Sequence, residues 1–503
     1  MSKSNKFYIT TSIPYLNAGP HMGHTMEYLQ ADILARYNRL DGREVFFLTG
    51  SDEHGSKIAQ VAEARGVWPQ ELVNENAAIF QDLLVRLGIS NDAFIRTTDD
   101  KHVKFALEMW QKLVDAGDIY KANYEGLYCV GCEKFLTEKE LVDGNCPIHH
   151  KPPIKVMEEN YFFRLSKYGQ TIREKISSDE IKVIPESRKN EILSFLEEDL
   201  TDISFSRSRE AVKWCIEIPG EPDQLMYVWC DALTNYMSGV DREKFWPADI
   251  HLIGKDILRF HAVYWIGMLL SAKLTLPKVI MVHGFITSDG QKMSKSLGNV
   301  KDPFEYLEKY GRDALRYFLL REIPTLGDGD FSAERFEIVY GDELANTFGN
   351  LVSRVLAMNK KYFDGRVPER GGDDGFEVMV GQAWVNLEKR FAEYDLKKAL
   401  EEILALGYAA NKYVEDSKPW ALAKEDQTKL ATVIYNLLEL IRQIGLMLLP
   451  FIPDTASKVL KSFDGDFVAD GYLWAGQRDF GLLKSGTEIT AAEILFPRLE
   501  TAK

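Results

Sequence analysis

What most restricts the fold is the order of the opening segments: a buried strand, a turn-rich loop, a long helix and a second strand. Residues 6–13 (KFYITTSI) read as the first strand and residues 14–20 as the loop. Met22–Leu40 carries helical periodicity and is closed by Asp41 and Gly42. Residues 44–49 (EVFFLT) make the next strand, followed by residues 50–55 (GSDEHG) and another helical stretch. Strand, crossover helix and strand of these lengths predict an α/β fold, a Rossmann-type doubly wound parallel sheet. Such sheets bind ligands beyond the carboxyl ends of their strands, which gives residues 14–24 and 50–55 a geometric claim on the active site.

The chain has 503 residues, too many for one core, and calls for roughly three domains. Residues 118–224 change texture to short strands, turns and a cysteine–histidine cluster, and read as a connective insertion. It splits the α/β unit into residues 1–117 and 225–297, with the α/β pattern resuming at residues 226–229, 251–253 and 279–286. Residues 298–343 read as a connecting region. Residues 344–503 are dominated by helical patterns interrupted at 371–375, which predicts an all-α helix bundle. No apolar run reaches the ~18 residues of a membrane span, and the N-terminus leads straight into the first strand. A cytoplasmic chain with no membrane partner is expected. The net charge of −15 argues against nucleic acid covering the whole surface, so such a partner needs a local basic face.

Three groups of residues carry chemistry. His21, Gly23 and His24 open the first long helix, where unpaired N–H groups and a partial positive charge suit a phosphate. Their imidazoles can donate hydrogen bonds as charge develops on phosphoryl oxygens. Lys292 and Lys295, in the run KMSKS, follow a strand and a turn, placing two cations to clamp a departing pyrophosphate. Cys129, Cys132, Cys146 and His149 form CxxC and CxxH knuckles that supply four zinc ligands, with His150 a competitor for the last place. All four positions are filled, so one structural Zn²⁺ per chain is expected, and Cys215 and Cys230 are left as core thiols. Around small Ala232 stand Tyr227, Trp229, Asp231 and Tyr236, with Gly254, Lys255, Asp256, Ile257 and His261 one βα unit later.

With these motifs on view, nearly the whole chain resembles the methionyl-tRNA synthetase family of class I aminoacyl-tRNA synthetases, in its single zinc-knuckle form. The carriers are PYLNAGPHMGH at residues 14–24, GSDEHG at 50–55, the metal knuckles, VWCDA at 228–232 and KMSKS at 292–296. The resemblance implies activation of L-methionine with Mg²⁺-bound ATP and transfer to tRNA(Met). Asp52 and the Ile13 carbonyl would hold the methionine ammonium group. Ile13, Tyr15, Trp229, Ala232, Tyr236, Ile257 and His261 would form the side-chain pocket. ATP would meet His21, Gly23, His24, Glu27, Gly254, Asp256, His283 and Lys295. Asn350 and Arg354, one helical turn apart, and Trp420 would read the anticodon.

Two positions depart from the family pattern. Met22 stands where the name-motif has isoleucine, and Leu233 where some members carry proline. The chain stops at Lys503 without an added oligonucleotide-binding-type domain, so a monomer is expected. Valyl, isoleucyl and leucyl relatives share both signatures but carry a large editing insertion, for which residues 118–224 leave little room. Cysteinyl relatives place their metal in the amino-acid pocket, whereas the four-ligand cluster here lies in the insertion. A tRNA-binding paralogue without activity is the reading from another class, and the intact His21, His24, Lys292 and Lys295 argue against it.

Overall fold

The computed structural model of the chain describes residues 5–131, 134–136, 138–148, 150–198, 200–288, 290–292, 301–490 and 493–498. Its centre is a six-stranded parallel sheet built from β1 (Lys6–Thr11), β2 (Glu44–Ser51), β3 (Ala93–Arg96), β4 (Lys182–Ile184), β5 (Ile250–Gly254) and β6 (Val279–His283). The spatial order is β3-β2-β1-β5-β6-β4. The order reverses between β1 and β5, and a crevice opens at such a switch point beyond the carboxyl ends of the strands. Residues of β5 and β6 are buried throughout, the run of apolar side chains expected of strands covered on both faces.

Helix α1 (Met22–Leu40) crosses from β1 to β2 with the limits its periodicity predicts. His21 caps its start, and Gly42 takes the left-handed conformation (φ 86°) just past its end. Gly50 is forced by packing: a Cβ there would lie 2.1 Å from the Ile95 carbonyl oxygen of the neighbouring strand.

Among the described residues, 119–226 contribute two antiparallel sheets, of four and three strands, the last strand (Glu221–Met226) running two residues past the expected boundary at 224. They also contribute β4, which pairs in parallel with β6 at the sheet edge. A three-residue strand, Lys-Val-Ile, shows no alternation of its own and is held by its register against Val279–Met281. Residues 226–229 also differ from the sequence reading. Met226 ends an antiparallel strand against Ser206, and the chain then turns into helix α3 (Val228–Ala232) instead of joining the parallel sheet. Helix α2 (Asp100–Asp115) and the four-residue α4 (Asn235–Ser238) pack beside α3.

From Pro303 to Lys461 the chain is mainly helical, with long helices at Asn350–Phe363, Phe376–Ala392, Leu396–Ser417 and Gln427–Leu448. The all-α expectation for residues 344–503 fails past Lys461: the described residues there form no helix, and Gly471, Gly476, Gly481 and Gly486, all at positive φ, keep the chain in turns. No uninterrupted apolar run of span length is present, yet Gln427–Leu448 is long and apolar enough by averaged hydropathy to cross a membrane. It is the central helix of the bundle, with 94% of that window buried in protein. The bundle shares one core with the α1 face of the sheet: Tyr37 of α1 stacks on Phe391 at 3.8 Å, and the Trp474 N–H donates to the Leu40 carbonyl. Arg316 pins this junction from complete burial. Its guanidinium donates to Asp32 of α1 at 2.7 Å and to the carbonyls of Leu87, Pro450 and Phe451.

Candidate active site

The first turn of α1 holds two histidines in one hydrogen-bonded cap. The Gly23 N–H donates to His21 Nδ1 at 3.1 Å, and the His21 N–H donates to His24 Nδ1 at 3.2 Å. The rings stack at 3.8 Å. Each Nδ1 accepts, so each neutral ring carries its proton on Nε2. Burial above all, with the His21 and His283 rings beside it, pushes the His24 pKa well below its usual value, so its neutral form prevails near pH 7. The helix start therefore presents imidazole N–H donors at the positive end of the helix, its Gly23 and Thr25 backbone N–H groups already bonded to His21. A Cβ on Gly23 would meet the His21 ring at 2.9 Å, so glycine lets that ring lie over the turn.

One turn along α1, Glu27 spans the switch point. Its Oε1 accepts from the N–H and Oγ–H of Ser12 at 2.6 Å each, just past β1, and its Oε2 meets His283 Nε2 at 2.9 Å, at the end of β6. His283 Nδ1 donates to the Gly284 carbonyl at 2.8 Å. Burial pushes the His283 imidazolium down, but Glu27, the Gly284 carbonyl and Asp256 more than offset it, and the net shift is upward. A Cβ on Gly254, the last residue of β5, would lie 2.9 Å from Asp256 Oδ1 and 3.8 Å from the His283 ring. His21, His24, Glu27, Gly254, Asp256 and His283 thus converge at the strand ends.

The residues expected around methionine gather beside them. Tyr15 bridges Asp52 in a short parallel contact, with the Leu16 N–H donating to the Asp52 carbonyl and the Asp52 N–H to the Pro14 carbonyl. Across the space, Tyr236 and His261 are joined through Tyr236 Oη and His261 Nε2 at 2.6 Å. His261 Nδ1 donates to the Ile257 carbonyl at 2.9 Å, so Nε2 must accept the tyrosine proton. Burial holds His261 neutral, its pKa pushed down to about 4. The π-helical turn Phe260–Trp265 carries His261. Trp229 stacks on Phe260 at 3.8 Å and meets the His261 ring edge-on at 6.0 Å. Ala232 is buried nearby on α3, and Ile13 is half-buried after β1.

Sequence reasoning missed Ser12, His102 and Phe260. Phe260 had a weak signal in its place beside His261; Ser12 and His102 acquire partners only through the fold.

Cys129 and Cys146 are both buried in one small cluster with Leu136. Cys132 and His149 lie outside the described residues, and among the described residues no three His, Cys, Asp or Glu side chains could hold a metal ion. His150 is exposed where the two cysteines are buried. Lys292 pairs through its backbone with Thr287, and Lys295 lies outside the described residues. In the helical region Asn350 is exposed. Arg354 donates to Glu415 at 2.7 Å and to Asn411 at 3.2 Å. Trp420 is 47% exposed, five positions after Glu415.

The family model for class I tRNA synthetases (M) matches residues 7–152 and 139–356, and that for the anticodon binding domain of methionyl tRNA ligase matches residues 376–503. A methionine–tRNA ligase of Caldanaerobacter subterraneus is 43% identical over 99% of this chain and 79% of its own length. One from Rhizobium meliloti is 42% identical over 99% of each. Among solved structures, Mycobacterium tuberculosis methionyl-tRNA synthetase in complex with methionyl-adenylate superposes with a TM-score of 0.93 at 40% identity, covering 98% of this chain and 100% of that one. Its apo form matches at 0.85, with 38% identity over 99% of this chain and 98% of that one.

Proposed function

The chain belongs to the methionine–tRNA ligase family of class I tRNA synthetases, and on that premise we propose how its residues divide the work. Methionine is activated with ATP and then transferred to tRNA. A methionine carboxylate oxygen attacks the α-phosphorus of ATP, the bond to the β-phosphate breaks, and pyrophosphate leaves with the bonding electrons. The nucleophile is already ionised, so the site needs no general base; positioning and charge stabilisation carry the rate.

The paired Nε2–H donors at the start of α1 supply that stabilisation, and this is the observation that carries the assignment. Neutral imidazoles can donate to the phosphoryl oxygens as negative charge builds, with the helix start behind them. Glu27, Gly254, Asp256 and His283 line the nucleotide side, with Glu27 favouring the protonated form of His283. Lys292 and Lys295 neutralise the departing pyrophosphate, and Mg²⁺ accompanying ATP offsets phosphate charge. Asp52 and the Ile13 carbonyl hold the ammonium group. Tyr15, Trp229, Ala232, Tyr236, Ile257 and His261 enclose the thioether, whose sulfur contacts ring edges favourably.

In the second step the 2′-hydroxyl of the terminal adenosine attacks the adenylate carbonyl, and AMP leaves. Asn350 and Arg354 bond exposed base edges of the anticodon, and Trp420 supplies a face for stacking. Cys129, Cys132, Cys146 and His149 would hold one zinc ion. The burial of Cys129 and Cys146 in one cluster supports this, and the metal would order the insertion without taking part in the reaction. The chain acts as a cytoplasmic monomer in this reading. The test is charging of tRNA(Met) with labelled methionine: ester-linked label that disappears when the anticodon is changed supports the assignment, and charging that ignores the anticodon refutes the role of Asn350, Arg354 and Trp420.

A further inference from the structure

Asp231 is a fully buried carboxylate that the chemistry above does not use. It lies on α3, whose five residues also carry Trp229 and Ala232. A helix this short cannot hold its own geometry, since one turn costs more conformational entropy than its hydrogen bonds return. Its position must come from contacts outside it.

Those contacts converge on the carboxylate. Asp231 Oδ2 meets His54 Nδ1 at 2.7 Å, and Oδ1 meets His102 Nε2 at 2.7 Å. All three side chains are buried. His54 stands two residues after Asp52, on the loop leaving β2. His102 belongs to α2, and its Nδ1 lies 2.8 Å from Ser238 Oγ at the end of α4, the helix that carries Tyr236. The Trp214 ring packs 5.8 Å from the His54 ring, and its Nε1–H donates to the Glu53 carbonyl at 2.7 Å. Asp231 thus touches the ammonium-side loop directly, the aromatic wall through its own helix, and the support behind both through His102. Burial works to raise the Asp231 pKa, but the two imidazoles outweigh it and hold the carboxyl below its ordinary value, so both oxygens accept. The nucleotide side hangs instead on α1, Ser12 and His283.

We propose, on the methionine reading above, that Asp231 with His54 and His102 is the positioning cluster of the amino-acid pocket. It sets the separation between Asp52 and the wall formed by Trp229 and Ala232, and so governs the fit of methionine independently of ATP.

The test is pyrophosphate exchange with the whole chain, titrating methionine and ATP separately. Asp231→Asn keeps the shape but turns one acceptor into a donor that faces an imidazole N–H. The expected result is a rise of about 10-fold or more in the methionine KM with the ATP KM within about twofold, the signature of lost binding to one substrate. A purely structural role would lower the active fraction and Tm and leave both KM values in place; that result, or an equal rise in both, overturns the proposal. His54→Asn retains a donor where Nδ1 stood and His54→Ala removes it, so the asparagine variant should recover most of the methionine KM lost in the alanine one. Equal defects in that pair also overturn the proposal, which keeps it testable if Asp231→Asn does not fold. Absence of exchange in the unaltered chain would overturn the functional reading itself. Exchange there with an unmoved methionine KM in the variants overturns only this one.

Discussion

Replacing His24 by asparagine separates the two tasks of that side chain. Its Nδ1 accepts the His21 N–H and completes the cap of α1, while its Nε2–H points away as the proposed phosphate donor. An asparagine Oδ1 falls close to the position of Nδ1, so the cap survives; nothing replaces Nε2–H. Loss of a cap would cost about 1 kcal/mol of stability, which this variant avoids. Loss of one preorganised donor to a charge-building transition state costs about 3–4 kcal/mol, or about 10²–10³-fold in rate. The His24 ring packs edge-on against Phe80 at 5.2 Å and on His21, not on the methionine wall, so methionine affinity should hold. Steady-state exchange and single-turnover adenylate formation read both quantities. We expect His24→Asn to fold with a Tm lowered by a few degrees, the cost of the lost ring contacts with Phe80 and His21, to keep its methionine KM and to lose kcat by that factor. His24→Gln, whose amide N–H reaches toward the Nε2 position, should fall between it and the wild type. A His24→Asn rate within about threefold of wild type would refute the donor argument, since it would put the lost interaction below about 0.7 kcal/mol.

Three further outcomes follow from the same geometry. Arg316→Leu leaves Asp32 buried with only Arg36 and Ser90 and strands the carbonyls of Leu87, Pro450 and Phe451; urea unfolding should show a loss of about 4 kcal/mol, and a loss below about 1 would contradict the junction described. Trp420→Ala should raise the tRNA KM in charging by about 10–100-fold, the worth of one stacked base, with tRNA-independent exchange as the control; an unmoved tRNA KM would remove Trp420 from the interface. His261 has its pKa lowered from 6.5 to about 4 in the fold, so the unfolded chain takes up that proton first and stability falls as pH drops below about 6.5. Relative to His261→Asn, the wild type should lose about 2 kcal/mol between pH 7.5 and pH 5, and parallel pH profiles would argue against a neutral His261 accepting from Tyr236.

How far the fold was legible followed the length of each signal. Helix α1 shows over five turns of periodicity with a histidine cap before it and Gly42 after it, and its ends were readable to the residue. The strands β1, β2, β5 and β6 are five to eight residues long and mostly apolar at their centres, and could be seen. β3 and β4 have four and three residues, and only their neighbours make them strands. The site divides similarly. His21 with His24, and Asp52 with the GSDEHG loop, are adjacent in sequence, so spacing exposed them. His102 and Asp231 are 129 residues apart, and Arg316 and Asp32 are 284 apart. Each alone looks like an ordinary polar residue of a helix; its partner is chosen by packing of elements that local pattern does not describe.

The central claim is that this pocket adenylates methionine in preference to other amino acids. Amino-acid-dependent ATP–pyrophosphate exchange, run with methionine, cysteine, leucine, isoleucine and valine side by side, measures it directly. The account predicts exchange with methionine far above the other four. Exchange led by another amino acid, or none with methionine from folded protein, would contradict it.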